Sequence, residues 1–341
     1  MTQPTVAVVM LAYGEEPYLL QAVRAVLAST DVDLELVLVD NGTRGAAVDE
    51  VRALGDDRVR VVVPGRNTGF TGGVRLGVQS TTAPTLVLVN SDAIVEPQAL
   101  SELVGALHEP GVGIVCGLVR LGDDPTTVNS VGNPVHLLGL SWAGHMGEPV
   151  TEHRTPSTIA SATGALLALP RRVWDELGGF PDEYFAYLED MELSWRAWQR
   201  GYEVRYVPTA AADHFYEFSR SPIKMYLLDR NRLLFVLTCY EARTLALLAP
   251  ALLAFDVALL AVAVAQGWGR QWLRARVWVA THRGWVAARR REVQTTRTRS
   301  DRQLAHLVTD RFSPAQFGLG PVAGILQALM HGYWVLVRRA L

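Results

Sequence analysis

"VLVNSDAIVEPQAL", residues 87–100, is the stretch on which the fold turns. Its opening is apolar enough to be buried on both faces, as strands of parallel sheets are. Pro97 then opens a helix in which Leu100, Leu103, Val104 and Leu107 keep the i, i+3, i+4, i+7 spacing. Asn90, Ser91 and Asp92 stand where the strand stops, and ligands bind at the carboxyl ends of such strands. The same residue types also make plain turns and helix caps, so the rest of the chain has to decide.

Outward from this stretch, strands and helices alternate. Residues 6–12 form an apolar strand, and residues 17–29 a helix with Leu19, Val23, Val26 and Leu27 on one face. "LELVLVD" ends a second strand at Asp40, "RVRVVV" is a third, "TLVLVN" the fourth and "GVGIVCGLV" a fifth. The pattern predicts an α/β fold with a Rossmann-like, mostly parallel sheet and helices on both faces. Across residues 123–158 the periodicity fades, which suits a binding surface or a solvated insertion. It returns in "PRRVWDELGGF", in a helix where Met191, Trp195 and Trp198 share a face, and in the strand "YEVRYVP".

With 341 residues, 49% of them hydrophobic, the chain can bury a large core. Cys116 and Cys239 have neither metal-ligand spacing nor the density of a disulfide scaffold, so both are expected as buried thiols in a reducing compartment. No basic region precedes the first apolar run, which therefore reads as a strand and not a signal peptide, and the catalytic part is expected in the cytoplasm.

The net charge of -2 hides a basic tract: ten arginines lie between Arg270 and Arg302, against Glu292 and Asp301. Before it, residues 244–265 are long and apolar enough to cross a bilayer but are interrupted by Pro250 and Asp256. Trp268, Trp272, Trp278 and Trp285 then mix with arginines, a combination that favours a lipid-water interface over nucleic acid. A single crossing would place the arginines outside, against the positive-inside tendency. A re-entrant hairpin bent near residues 250–256, or helices lying in the interface, keeps them beside anionic lipid on the cytoplasmic face of a bacterial plasma membrane. A buried helical hairpin in a soluble domain is the alternative.

Four pieces fall at the carboxyl ends of neighbouring strands: Ala12 with Tyr13, Asp40, the loop "GRNTGFTGG" with Asn67, Gly69 and Gly72, and Asn90-Ser91-Asp92. The loop does not match G-x-G-x-x-G, which argues against a dinucleotide oxidoreductase. Glu189 and Asp190 begin a helix, and His214 follows another strand. Carboxylates from separate element ends, supplemented by a histidine, suit a manganese-like ion bridging a diphosphate.

"VLVDNGT", "RNTGFTGG", "LVNSDAIVEPQAL", "GALLALPRRVWDELGGFPDEYFAYLEDMELSWRAWQRGY" and "HFYEFSRSP…DRNRLLF" together resemble, in order, the motifs of family 2 glycosyltransferases with the GT-A fold. Among these, the resemblance is to the rhamnosyltransferase-like bacterial enzymes of surface polysaccharide synthesis. It covers residues 5–238, and the boundary expected is a GT-A domain over residues 1–238 with a helical, Trp/Arg-rich membrane-associated extension over residues 239–341. The extension resembles that of some actinobacterial members.

The resemblance implies roles. Ala12, Tyr13, Asp40, Asn67, Gly69, Gly72, Asn90 and Ser91 would line the nucleotide, Asp92 with His214 would hold Mn2+ or Mg2+, and Asp190, beside Glu189, would be the general base. Gly164, Ala165 and Trp195 would lie on the sugar and acceptor side. Asn90 replaces the first acid of D-x-D, Arg75 stands where asparagine is frequent, and Pro181 where aspartate is frequent. The motif Q-x-x-R-W of processive synthases is absent, so single-residue addition is expected. The implied partners are a nucleotide-sugar donor, first dTDP-rhamnose and second a UDP-sugar such as UDP-galactofuranose, a polyprenyl-linked saccharide acceptor and anionic membrane lipid. The rival from another class is a non-catalytic membrane assembly factor of the same fold.

Overall fold

The computed structural model describes residues 5–216, 221–313 and 323–341. Two compact units divide the chain: one of Met1–Asn133, Ala143–Ala197 and Tyr202–Glu217, the other of Pro134–Trp142, Trp198–Gly201 and Phe218–Leu341. The second unit thus begins earlier than residue 239.

The strands are β1 (Val6–Gly14), β2 (Leu34–Thr43), β3 (Val59–Val62), β4 (Thr85–Val89), β5 (Ala93–Val95), β6 (Val112–Leu121), β7 (Asp124–Ser130), β8 (Val135–His136, in the second unit), β9 (Ser157–Thr158), β10 (Leu166–Pro170), β11 (Glu203–His214) and β12 (Val308–Thr309, which pairs with β8). The first unit's sheet runs β3-β2-β1-β4-β10-β6-β11-β5, with β7 on β6 and β9 on β11. Pairs β1 with β2, β1 with β4, β2 with β3 and β6 with β11 are parallel. Strand β10, which periodicity did not single out, lies antiparallel between β4 and β6.

Helices α1 (Leu19–Leu27), α2 (Ala47–Arg52), α3 (Gly69–Gln79) and α4 (Ala99–Ala106) cover both faces. Val6, Val8 and Met10 of β1 and Leu36 and Leu38 of β2 share a buried cluster with Leu19, Val23 and Val26 of α1. The alternate face meets α3, where a Cβ on Gly73 would strike Leu11 and one on Gly77 would strike Val9. The glycines of that helix let it lie close on β1, since successive strand side chains point to opposite faces.

Helices α5 (Arg171–Leu177) and α6 (Glu189–Gln199) follow β10, and α7 (Pro222–Cys239), α8 (Ala242–Ala265), α9 (Gly269–Thr281) and α10 (Arg283–Thr296) belong to the second unit. Helix α8 is continuous through Pro250, so the re-entrant hairpin expected near residues 250–256 is not formed. Its backbone stays helical past the proline instead of reversing. Both Cys116 and Cys239 are buried free thiols, and burial pushes the Cys116 thiol up to about 12.

Candidate active site

Strand pairing places Asp92 beside His214. Strand β5 starts one residue after Asp92 and pairs with the end of β11, so that Ala93 faces His214, and the Asp92 carbonyl accepts the Phe215 amide at 2.9 Å. The result is Asp92 Oδ1 3.1 Å from His214 Nε2. On its far side the imidazole Nδ1 lies 3.2 Å from Asn129 Oδ1 on β7. An amide oxygen only accepts, so Nδ1 carries the hydrogen and Nε2 is the acceptor, with Asn90 Nδ2 donating to it at 3.3 Å beside Asp92. The donor set of carboxylate and imidazole side by side fits a manganese-like ion.

Glu16, which no motif marked, belongs to the same place. Its carboxylate accepts the Tyr13 amide at 2.8 Å, hydrogen-bonds Ser91 and lies near the charge of Asp92. Burial raises its pKa to about 6, against the lowering effect of those hydrogen bonds.

The neighbouring strand end holds the expected nucleotide-side residues. Ala12 is buried and registers with Asp40 across β1 and β2, while the Tyr13 ring is exposed and lies over Gly42. Burial acts to raise the Asp40 carboxyl, but amide hydrogen bonds from Thr43 and Gly42 outweigh it and hold the group below the usual range. Asn41, another residue the sequence did not mark, is buried and ties the glycine loop down. Its Nδ2 donates to Asn67 Oδ1 at 3.0 Å and to the Gly69 carbonyl at 3.1 Å, and its Oδ1 accepts from the Thr68 amide and hydroxyl, each at 2.9 Å. Gly69 has φ +72° and a Cβ there would sit 2.4 Å from the Phe185 carbonyl oxygen, whereas Gly72 packs against Thr68.

That carbonyl opens the strained approach to the second pair of acids. Phe185, Tyr187 and Leu188 all have positive φ, at 63°, 73° and 65°, immediately before Glu189. Bulky residues adopt this conformation only when their surroundings impose it, and such strain gathers at functional sites. Asp190 Oδ2 accepts from the Gly164 amide at 3.0 Å and from Asn133 Nδ2 at 3.3 Å, and Oδ1 from the Met191 amide at 2.7 Å. Burial raises the Asp190 carboxyl, and these donors offset part of the rise. Glu189 is pushed further up, by burial and then by Asp190, and among the described residues its buried Oε2 has no hydrogen-bond partner. Of the two adjacent acids, Asp190 has the amide donors that favour a carboxylate, whereas Glu189 has burial and the neighbouring Asp190 both acting against its charge.

Gly164 and Ala165 join the two pairs of groups. The Asn90 amide donates to the Ala165 carbonyl at 3.1 Å while Gly164 holds Asp190, so Asn90-Ser91-Asp92 and Asp190 are linked through two consecutive residues. Trp195 is 1% exposed, in the core, and offers no surface to a sugar, which corrects the place expected for it. Arg75 forms an ion pair with Asp182, the residue after Pro181.

The mostly parallel sheet thus carries, at its strand ends and adjoining loops, paired acids and a carboxylate-histidine couple in a GT-A-like fold. Residues 4–235 match the family described as glycosyltransferase like family 2, and the chain belongs to that family. It is 26% identical over 231 residues to N-acetylglucosaminyl-diphospho-decaprenol L-rhamnosyltransferase of Mycobacterium tuberculosis, covering 61% of this chain and 75% of the relative. The chain spans 25%, 39% and 50% of the length of three further curated relatives. Among solved structures, GalNAc-T7 with UDP, GalNAc and Mn2+ superposes with a TM-score of 0.58 at 18% identity, over 72% of this chain and 50% of that one. Mannosyltransferase PcManGT from Pyrobaculum calidifontis, in complex with GDP-Man and Mn2+, gives 0.52 at 15% identity, over 99% and 87%.

Proposed function

We propose that the chain is an inverting, metal-dependent glycosyltransferase that moves a single sugar from a nucleotide sugar to a lipid-linked saccharide acceptor in cell-surface polysaccharide synthesis. The observation that carries this reading is the joining of Asp92 and His214 to Asp190 through Asn90, Ala165 and Gly164. L-Rhamnose from dTDP-rhamnose is the first donor to test, because the mycobacterial relative is a rhamnosyltransferase acting on a decaprenol-linked substrate. A UDP-sugar is the second.

Asp92 and His214 would hold the divalent cation. Bound there, it supplies positive charge opposite a diphosphate leaving group. Tyr13, Asp40 and the loop braced by Asn41 would position the nucleoside. Asp190 removes the proton of the acceptor hydroxyl as that oxygen attacks the anomeric carbon and the nucleoside diphosphate departs from the opposite face. The configuration inverts, and no sugar becomes attached to the protein. Burial raises the Asp190 carboxyl above its ordinary value, which makes it a better base than a solvated carboxylate.

Two variants test the division of labour. Asp190→Asn is expected to lower transfer by about 100-fold to 10,000-fold, the usual worth of a positioned base, while leaving metal-dependent nucleotide binding intact. Asp92→Ala is expected to lose both. Near-normal turnover by Asp190→Asn would remove the base assignment.

A further inference from the structure

The second unit contains a cavity of about 760 Å³ with four arginines on its wall, Arg243, Arg290, Arg291 and Arg302. Arg290 is anchored, donating to the carbonyls of Leu237 and Tyr240 at 2.6 and 2.8 Å. Arg243, Arg291 and Arg302 are exposed, and among the described residues no carboxylate pairs with them. Glu241, an acid on the same wall, is already committed: its Oε2 accepts the Asp301 amide at 2.8 Å, and its own amide donates to the Asp301 carboxylate at 2.6 Å.

Guanidinium groups gathered round one cavity repel each other unless an anion sits among them. Helix α8 also starts on this wall, at Ala242, with no side chain capping its N-terminus, so its first amides add positive potential. Planar, forked donors in this number match the oxygens of a phosphate better than those of a single carboxylate. Helix α8 then runs on with Leu253, Val257 and Val264 at 68%, 70% and 65% exposure.

We propose that this cavity is a binding site for a phosphate-class anion, a phosphomonoester or diphosphate group carried by a lipid headgroup or free in solution. The site is separate from Asp92 and Asp190 and does not depend on the glycosyl-transfer reading.

The test uses the full chain in nonionic detergent, titrated calorimetrically with inorganic pyrophosphate without added divalent cation, and floated with phosphatidylcholine vesicles with and without phosphatidic acid. Two double variants and one single variant are compared: Arg291→Ala with Arg302→Ala on the cavity, Arg270→Ala with Arg283→Ala among the exposed arginines that do not line it, and, in the pyrophosphate arm, Asp92→Ala as a control against binding at the nucleotide site. The cavity pair is expected to weaken binding at least tenfold with an unchanged melting temperature, while the other two variants bind as the unaltered protein does. Pyrophosphate binding without an effect of phosphatidic acid identifies a soluble anion; recruitment by phosphatidic acid that pyrophosphate competes away identifies a lipid headgroup, and recruitment that bound pyrophosphate leaves untouched overturns the shared site. The proposal is overturned if neither probe binds, if the cavity pair binds as the unaltered protein does, or if the distant arginine pair weakens binding equally, which would make the effect diffuse surface charge.

Discussion

Burial holds Glu16 at about 6, beside Asp92, so this residue changes charge within a pH unit or so of neutrality. Below that pH it is neutral; above it, its negative charge adds to that of Asp92 and favours a cation at the Asp92 and His214 couple. Metal-dependent nucleotide binding is therefore expected to tighten as pH rises through about 6. Titrating a fluorescent nucleotide with manganese between pH 5 and 7.5 checks it. In Glu16→Gln the step should shrink; an unaltered step would remove Glu16 from the site. Asp92, His214 and Asp190 were legible as polar residues at element ends, where a carboxylate has a reason to be. Glu16, Asn41, Asn129 and Asn133 were not, because each acts through a partner remote in sequence, as Asn129 does on His214 and Asn133 on Asp190. "AYGEEP" did carry one usable sign, an acid three residues after Tyr13 at the end of β1.

At the scale of elements, Gly69 joins helix α3 to the strained loop before α6. An alanine there would combine φ +72° with a Cβ 2.4 Å from the Phe185 carbonyl oxygen. Gly69→Ala is expected to cost about 2 kcal/mol or more and to weaken donor binding, because the loop must move off α3. Gly105→Ala is the comparison: it lies in α4 with nothing within 4 Å of its Cβ, so it should stabilise by about 0.5 to 1 kcal/mol. Thermal melts of both variants decide the matter, and equal shifts would contradict this account of the glycine loop. The parallel strands were legible because each is an apolar run bounded by polar loops. Strand β10 was hidden, since "LLALP" is five residues running straight into α5, and a run that short does not separate strand from helix by periodicity. The bend expected at Pro250 failed for a related reason: a proline can be carried inside a long helix when the residues around it continue the pattern, as they do through Ala265.

For the whole molecule, family membership rests on residues 4–235, and the lipid side of the proposed function rests on the second unit. Helix α8 is 24 residues long, with a mean hydropathy of 2.4 over its most apolar 18 residues and only 11% of that window buried. By length and composition it is able to cross a membrane, being about 36 Å long. Leu253→Lys, Val257→Lys and Val264→Lys together are expected to abolish flotation of the full chain with liposomes while leaving nucleotide binding unchanged; retained flotation would move the membrane contact elsewhere. The measurement that tests the central claim most directly is nucleoside-diphosphate release from a panel of nucleotide sugars, with a bacterial lipid extract, with manganese and then with chelator, in the unaltered protein and in Asp190→Asn. The account predicts release from one donor, raised by the lipid extract, lost with chelator and lost in Asp190→Asn. Silence across the panel together with absent nucleotide binding would contradict it in favour of a non-catalytic assembly factor, and release that survives Asp190→Asn would contradict the chemistry assigned to the site.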